Sequence, residues 1–269
     1  MNNEIQIGFL GCGNMGGAIL EGMLAEGLHA PSQVLVCEQS EERRRQWSKA
    51  GVNTTEKAEE LSEVGTIVLA VKPQAFDAAI SRLGGLGQSS LVISVMAGIA
   101  SDQIREAMHS MARVVRVMPN TPCSIGMGIS AIARGVGSSE ADLEEACRLM
   151  STVGSVVTIE EESMHAVTAT SGSGPAYLFH LAEAWIAAGI ESGLSPEISE
   201  KLVIETIHGS AELLRRRADP QLLRKMVTSP GGTTAAGIEQ LEAHGVRNAV
   251  RNAVLAAKAR GIELGRKDS

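Results

Sequence analysis

The run Gly11-Cys12-Gly13-Asn14-Met15-Gly16 limits what this chain can fold into more than any other stretch. It lies between an apolar segment carrying Ile5, Ile7, Phe9 and Leu10 and a segment with Ala18, Ile19, Met23 and Leu24 at helical spacing. That order reads as strand, tight turn and helix, the start of a βαβ unit. Gly11 permits the turn, Gly13 leaves room for a pyrophosphate, and Gly16 lets the helix pack closely on the strand. The helix start offers free N–H groups and the positive end of its dipole. A glycine-rich turn alone is a weak signal; between these flanks it predicts dinucleotide binding.

Up to about residue 160, short β-branched runs alternate with helical stretches. Strands are expected at 4–10, 33–37, 66–71, 90–95, 113–118, 128–133 and 155–159, and helices at 15–27, 41–50, 73–83, 101–109 and 139–151. Thr66-Ile-Val-Leu-Ala-Val71 and Ser90-Leu-Val-Ile-Ser-Val95 are continuously apolar at their centres, as in parallel strands buried on both faces. The expected fold is α/β: an N-terminal Rossmann-type, doubly wound, mostly parallel sheet, followed by an all-α C-terminal domain. Past residue 160 the β-runs stop, and 163–192, 196–217, 220–227 and 234–264 read with helical period. Ser195-Pro196 and Asp219-Pro220 each pair a cap with a first-turn proline. The division expected is 1–160 for dinucleotide binding and 161–269 for substrate binding and oligomerisation.

Composition narrows the class. The core must be aliphatic, because Phe9, Trp47, Phe76, Tyr177, Phe179 and Trp185 are the only aromatics in 269 residues. Long apolar helices in the second half call for a partner chain. A net charge of −7 argues against a nucleic-acid binder. Cys12, Cys37, Cys123 and Cys147 form no metal or disulfide spacing, and the six histidines fall singly, so no metal is expected. The start Met1-Asn-Asn-Glu4 lacks a basic region and no apolar run approaches a membrane span, which predicts a cytoplasmic protein.

Ligands of open parallel sheets sit beyond the carboxyl ends of the strands. Two loops there stand out. Ala70-Val71-Lys72-Pro73 follows a buried strand, and Lys72 either meets a cofactor or is a surface lysine ahead of a helix-starting proline. Met118-Pro119-Asn120-Thr121-Pro122 is stiffened by two prolines, and Asn120 offers uncharged hydrogen bonds unless the loop is a plain connector. In the helical half, Ser171-Gly-Ser173-Gly-Pro175 should kink a helix, since Pro175 leaves the Ser171 carbonyl without its helical donor. Thr228-Ser229-Pro-Gly-Gly232-Thr233-Thr234 leads a glycine turn into a helix, with four hydroxyls beside converging N–H groups: a carboxylate cradle that needs no arginine. No strong acid–base pair stands near these loops. A nicotinamide-dependent hydride transfer manages without one when its substrate is already a cation, such as a protonated imine.

Taken in order, Phe9–Gly16, Ala70–Gln74, Met118–Pro122, Ser171–Tyr177 and Val227–Thr234 resemble the pyrroline-5-carboxylate reductase family, which reduces a cyclic imine to L-proline. The resemblance covers essentially the whole chain. It implies a Rossmann domain and a helical domain that dimerises, giving a dimer or a decamer built from dimers, with no nucleic-acid or membrane partner. It implies that Gly11 to Gly16 hold the pyrophosphate, and Ala70, Val71, Lys72 and Pro73 the nicotinamide-ribose side, while Asn120, on the reading of its own loop, faces a nicotinamide carboxamide or the substrate. Ser229, Gly232, Thr233 and Thr234 would hold the substrate carboxylate and ring, with Ser171 and Pro175 beside them. Thr234 matches the hydroxyl that hydrogen-bonds the ring nitrogen. A β-hydroxyacid dehydrogenase is the rival enzyme, but 166–192 contains no lysine for its catalysis. A non-catalytic dinucleotide-binding regulator is a second rival, disfavoured by the intact hydroxyls at 229–234.

The cofactor is NADPH or NADH. Glu38 lies at the spacing where an acidic residue meets the adenosine ribose and repels a 2′-phosphate, unless it points into solvent. Ser40 and Arg43 could offset that repulsion, and both cofactors are expected to work.

Overall fold

The computed structural model describes residues 5–84, 86, 90–109 and 111–265. In chain order the α/β part runs β1 (Ile7–Leu10), α1 (Asn14–Ala25), β2 (Val34–Cys37), α2 (Glu41–Lys49), β3 (Asn53–Thr55), β4 (Thr66–Leu69), α3 (Phe76–Leu83), β5 (Leu91–Ser94), α4 (Ser101–Ala107), β6 (Arg113–Met118), β7 (Gly128–Arg134), α5 (Glu140–Met150), β8 (Gly154–Thr158) and α6 (Met164–Val167). The helical part is α7 (Gly174–Glu191), α8 (Pro196–Arg217), α9 (Pro220–Met226), α10 (Thr233–Ala243) and α11 (Val246–Gly265).

The eight strands form one sheet in the order β3-β2-β1-β4-β5-β6-β7-β8. Every neighbouring pair is parallel except β6 with β7, so the sheet is doubly wound with its direction of winding reversed between β1 and β4. Its central strands are buried on both faces because the two winding directions lay helices on both sides. Phe9, Ile19, Met23 and Trp47 lie in one core layer, while Leu10, Ile67, Leu69, Phe76 and Ile104 lie in the other. The alternation explains Gly8: a Cβ there would stand 2.6 Å from Leu61 Cδ2.

Several expectations are redrawn. The edge strand β3, Asn53-Thr-Thr55, is polar and three residues long, and it gives no apolar run to detect. The helix expected from 73 begins with a separate 3₁₀ turn at Pro73–Ala75, and α3 starts at Phe76. The stretch expected to be one helix over 163–192 is α6, a π turn at Thr168–Gly172 and then α7. The wide turn matches the chemistry of the region: Pro175 has no N–H to give to the Ser171 carbonyl, and Ser171 Oγ bonds the Val167 carbonyl at 3.2 Å. The run 234–264 is two helices, broken at Gly245, whose φ of 68° is a left-handed stop.

The chain divides into two compact units, one holding residues through Ser173 together with those from Ala257 onward, the other Gly174–Ala256. The compact units part after Ser173, where the sequence reading places the change from sheet to helices at 160/161. Beyond β8 the chain is still bound to the sheet unit: Glu161 accepts from the Ser101 backbone N–H at 2.8 Å and from Arg116 Nη1 at 3.3 Å, and Met164 and Ala169 are buried. The end of α11 is held there too, with Gln103 Nε2 donating to the Gly265 carbonyl at 2.9 Å.

In the second unit, α7 and α8 pack together, and Ser199, fully buried, donates its hydroxyl to the Ile186 carbonyl at 2.8 Å. Most of its large apolar side chains stay exposed, Leu178, Phe179, Trp185 and Leu202 among them. A water-facing surface of that kind marks a contact surface. No helix among the described residues is long and apolar enough to cross a membrane.

Candidate active site

The first unit carries a cleft of about 390 Å³ at the point where the sheet reverses its winding. Leu10, Gly11 and Gly13 line it from β1 and its loop, Cys37, Glu38 and Gln39 from the end of β2, and Ala70, Val71 and Lys72 from the end of β4. Arg43 on α2 and Arg82 on α3 complete its rim.

The glycine loop is built as its spacing demands. Gly11 has φ 84°, and a Cβ on it would stand 2.8 Å from Val71 Cγ1. A Cβ on Gly16 would stand 2.8 Å from the Gly11 carbonyl oxygen. Gly13 is the N-cap of α1 and places no side-chain cap over the helix start. Cys12 and Met15 turn their side chains into the core, so both can act on a ligand only through their backbones, whereas Asn14 is exposed. Burial, with the Glu38 carboxylate nearby, pushes the Cys12 thiol up to about 12 and the Cys37 thiol up to about 11, so neither supplies a thiolate near neutral pH.

Glu38 faces this loop and not solvent. Its Oε2 accepts from the Cys12 backbone N–H at 2.9 Å and its Oε1 from the Ser40 N–H at 3.0 Å. Arg43 Nη1 approaches the same carboxylate at 4.0 Å. The residue therefore ties the glycine loop to the end of β2 as well as lining the cleft. Lys72 is exposed ahead of the Pro73 turn and lines the cleft on the β4 side. Asn120 differs from the expectation of a freely presented amide: its Oδ1 accepts from the Ile129 N–H at 3.0 Å. That bond fixes the side chain between β6 and β7 and leaves the Nδ2 group as its donor.

The second unit carries the hydroxyl-rich turn. Gly231 has φ 69°, and Gly232 is the N-cap of α10 with no side-chain hydrogen bond capping the helix. The first N–H groups of α10 thus have no partner within the helix. A Cβ on Gly232 would stand 2.5 Å from Ser229 Oγ, so the Ser229 hydroxyl lies over that glycine. Thr233 and Thr234 are exposed in the first turn. Thr228 is not part of the group: its hydroxyl donates to the Arg224 carbonyl at 2.6 Å and finishes α9. The cradle has three hydroxyls, not four. Ser171 and Pro175 sit in the π turn and the first turn of α7.

Sequence reasoning missed Arg82 and Gln39 as cleft residues. Arg82 lies 43 positions from Gln39, whose Oε1 accepts from Arg82 Nη1 at 3.3 Å, and nothing local in the sequence announces that approach. Among the described residues no group of His, Cys, Asp and Glu is arranged to hold a metal ion.

Residues 161–264 match the family model described as pyrroline-5-carboxylate reductase dimerisation, and residues 6–98 match one described as NADP oxidoreductase coenzyme F420-dependent. The pyrroline-5-carboxylate reductase of Synechocystis is 40% identical over 267 residues, covering 98% of this chain and 100% of the relative. That of Arabidopsis thaliana is 36% identical, covering 97% and 96%. Among solved structures, the Coxiella burnetii pyrroline-5-carboxylate reductase superposes with a TM-score of 0.88 at 32% identity, covering 99% of this chain and 100% of its own. The Plasmodium falciparum pyrroline carboxylate reductase, solved with NADP bound, gives 0.87 at 32% identity over 98% and 99%. Full-length identity at this level, on a sheet and glycine loop of this geometry, means that the chain belongs to the pyrroline-5-carboxylate reductase family.

Proposed function

We propose that this reductase holds the pyrophosphate of NADPH or NADH on the loop from Gly11 to Gly16, through the backbone of Cys12 and Met15 and the exposed Asn14. Glu38 stands at the adenosine ribose, and Ala70, Val71, Lys72, Pro73 and the Nδ2 group of Asn120 serve the nicotinamide side. The glycine contacts support this fit, because side chains at 11 or 16 would close the cradle. When bound, the dinucleotide supplies the hydride that turns 1-pyrroline-5-carboxylate into L-proline.

The uncapped start of α10 carries the substrate assignment. A carboxylate fits the free N–H groups of that turn and the positive end of the helix dipole, with Ser229, Gly232 and Thr233 around it. The Thr234 hydroxyl accepts the N–H of the protonated ring nitrogen and so holds the proton on the substrate. Ser171 and Pro175 shape the turn that starts α7 on the substrate side. A protonated imine is already electrophilic, so orientation does the work a strong acid would otherwise do.

Dimers form through the apolar faces of α7 and α8, and a decamer built from five such dimers is the larger assembly. The four thiols are free, as suits the cytoplasm, the compartment we assign. Steady-state loss of nicotinamide absorbance with 1-pyrroline-5-carboxylate tests the reading. Substrate-dependent oxidation with proline as product is expected; none with either cofactor would overturn it.

A further inference from the structure

The cleft is lined by three cations, Arg43, Lys72 and Arg82, against the single carboxylate of Glu38, in a chain whose net charge is −7. Two of the cations gather at the adenosine end. Arg82 donates to Gln39 Oε1 at 3.3 Å, and Gln39 Nε2 in turn donates to the Glu56 carbonyl at 3.0 Å, which fixes the amide in place. Arg82 is exposed and has no carboxylate partner among the described residues. Arg43 is 43% exposed, and its Nη1 stands 3.1 Å from where a Cβ on Gly13 would be, over the start of α1. Around the end of β2 the order is therefore Arg82, Gln39, Glu38, Arg43.

Glu38 is the fixed member of this set, since both of its oxygens already accept backbone N–H groups. The guanidiniums are the adjustable ones.

We propose that Arg82 and Arg43 form a two-guanidinium clamp for the 2′-phosphate of NADPH, and that Arg82 sets the cofactor preference toward NADPH. The proposal rests on reading this cleft as the dinucleotide site. A phosphate monoester offers three acceptor oxygens and close to two negative charges, and two planar guanidiniums match it in charge and in geometry. Glu38 alone would favour a free ribose hydroxyl. Its charge is offset by Arg43 and by two N–H groups, so it does not exclude the phosphate. Ser40, whose Oγ caps α2 by accepting from the Arg43 N–H, keeps a hydroxyl proton to donate. The advantage is electrostatic and partly exposed, so it should shrink as salt rises.

Calorimetric titration of the full-length protein with 2′,5′-ADP and with 5′-AMP tests the clamp without turnover. Wild type should bind 2′,5′-ADP about tenfold or more tightly than 5′-AMP, as expected for added charge-assisted hydrogen bonds. Arg82→Ala should bring the two within about threefold while leaving 5′-AMP unchanged, and Arg82→Lys should recover part of the gap. The ratio of kcat/KM for NADPH over NADH should fall in parallel. Equal binding of the two nucleotides by wild type, or an unchanged ratio in Arg82→Ala, overturns the clamp while the reductase reading stands. Binding of neither nucleotide overturns the cofactor cleft itself, and the clamp with it.

Discussion

Gly16 and Gly17 are neighbours in the first turn of α1, both buried, yet alanine should have opposite effects at the two positions. At Gly17 a Cβ would meet Trp47 Cζ2 at 3.5 Å and the Cys12 carbonyl oxygen at 3.9 Å, which is ordinary contact. The helical preference for alanine then acts unopposed, and Gly17→Ala should stabilise by about 0.5–1 kcal/mol. At Gly16 the same atom would stand 2.8 Å from the Gly11 carbonyl oxygen and 3.0 Å from Ala70 Cβ, both on rigid backbone. Overpacking of that kind costs about 1–3 kcal/mol, which against a propensity gain of about 0.5–1 kcal/mol leaves a net loss of up to about 2.5 kcal/mol. For a chain of this size each kcal/mol moves Tm by about 2–4 °C. The shift falls on the Gly11 carbonyl, inside the phosphate loop, so Gly16→Ala should also weaken both cofactors by about tenfold, equivalent to roughly 1.4 kcal/mol. Thermal melts and fluorescence titration with NADPH and NADH decide the matter. Wild-type affinity in Gly16→Ala, or an equal loss in Gly17→Ala, would refute close packing as the reason for the glycine.

Thr234→Ala should lower turnover by the equivalent of about 1–3 kcal/mol through loss of one positioned hydrogen bond, with cofactor Kd unchanged; collapse of cofactor binding would mean that 234 belongs to a different site. His165 is held below its usual value of 6.5 by burial and by the charges of Arg116 and Lys258, so the unfolded chain binds the proton more readily than the folded one. Its contribution to stability is present above pH 6.5 and is lost as pH falls through that value toward the lowered one. The fall in Tm over this range should be smaller in His165→Gln, and an identical slope places the sensitivity elsewhere. Phe179 and Leu202 are 58% and 53% exposed, so replacing both by Glu should leave each protomer's helicity intact while light scattering shows dissociation. Each large apolar side chain removed from a contact forfeits about 1.5–3 kcal/mol, and a persistent dimer would move the interface to other helices.

The sequence alone made the order of elements legible wherever the signal is local. The glycine turn between two apolar runs marks β1 and α1. Ser195 and Asp219 accept from N–H groups three residues on, as their caps require, with Pro196 and Pro220 following them. Unbroken apolar runs mark β4 and β5 as strands covered on both faces. The hydroxyl-rich turn before α10 is equally local, since a helix start and its free N–H groups are properties of a few consecutive residues.

Long-range contacts decided the rest. Asn53-Thr-Thr55 is a strand only because β2 offers it a free edge. Asn120 spends its carbonyl oxygen on Ile129, across the turn from β6 to β7, because a neighbour that composition does not announce reaches that atom first. Glu38 becomes the tie between two loops when Cys12 comes within 2.9 Å, 26 positions away. Arg82 reaches the cleft because the crossover from β4 to β5 lays α3 over the sheet and brings Arg82 to Gln39, 43 residues back. Hydrophobic periodicity records which face of an element is buried, but it carries no record of which distant polar group will stand opposite. That is set only when the sheet closes its order and burial obliges each donor and acceptor to find a partner.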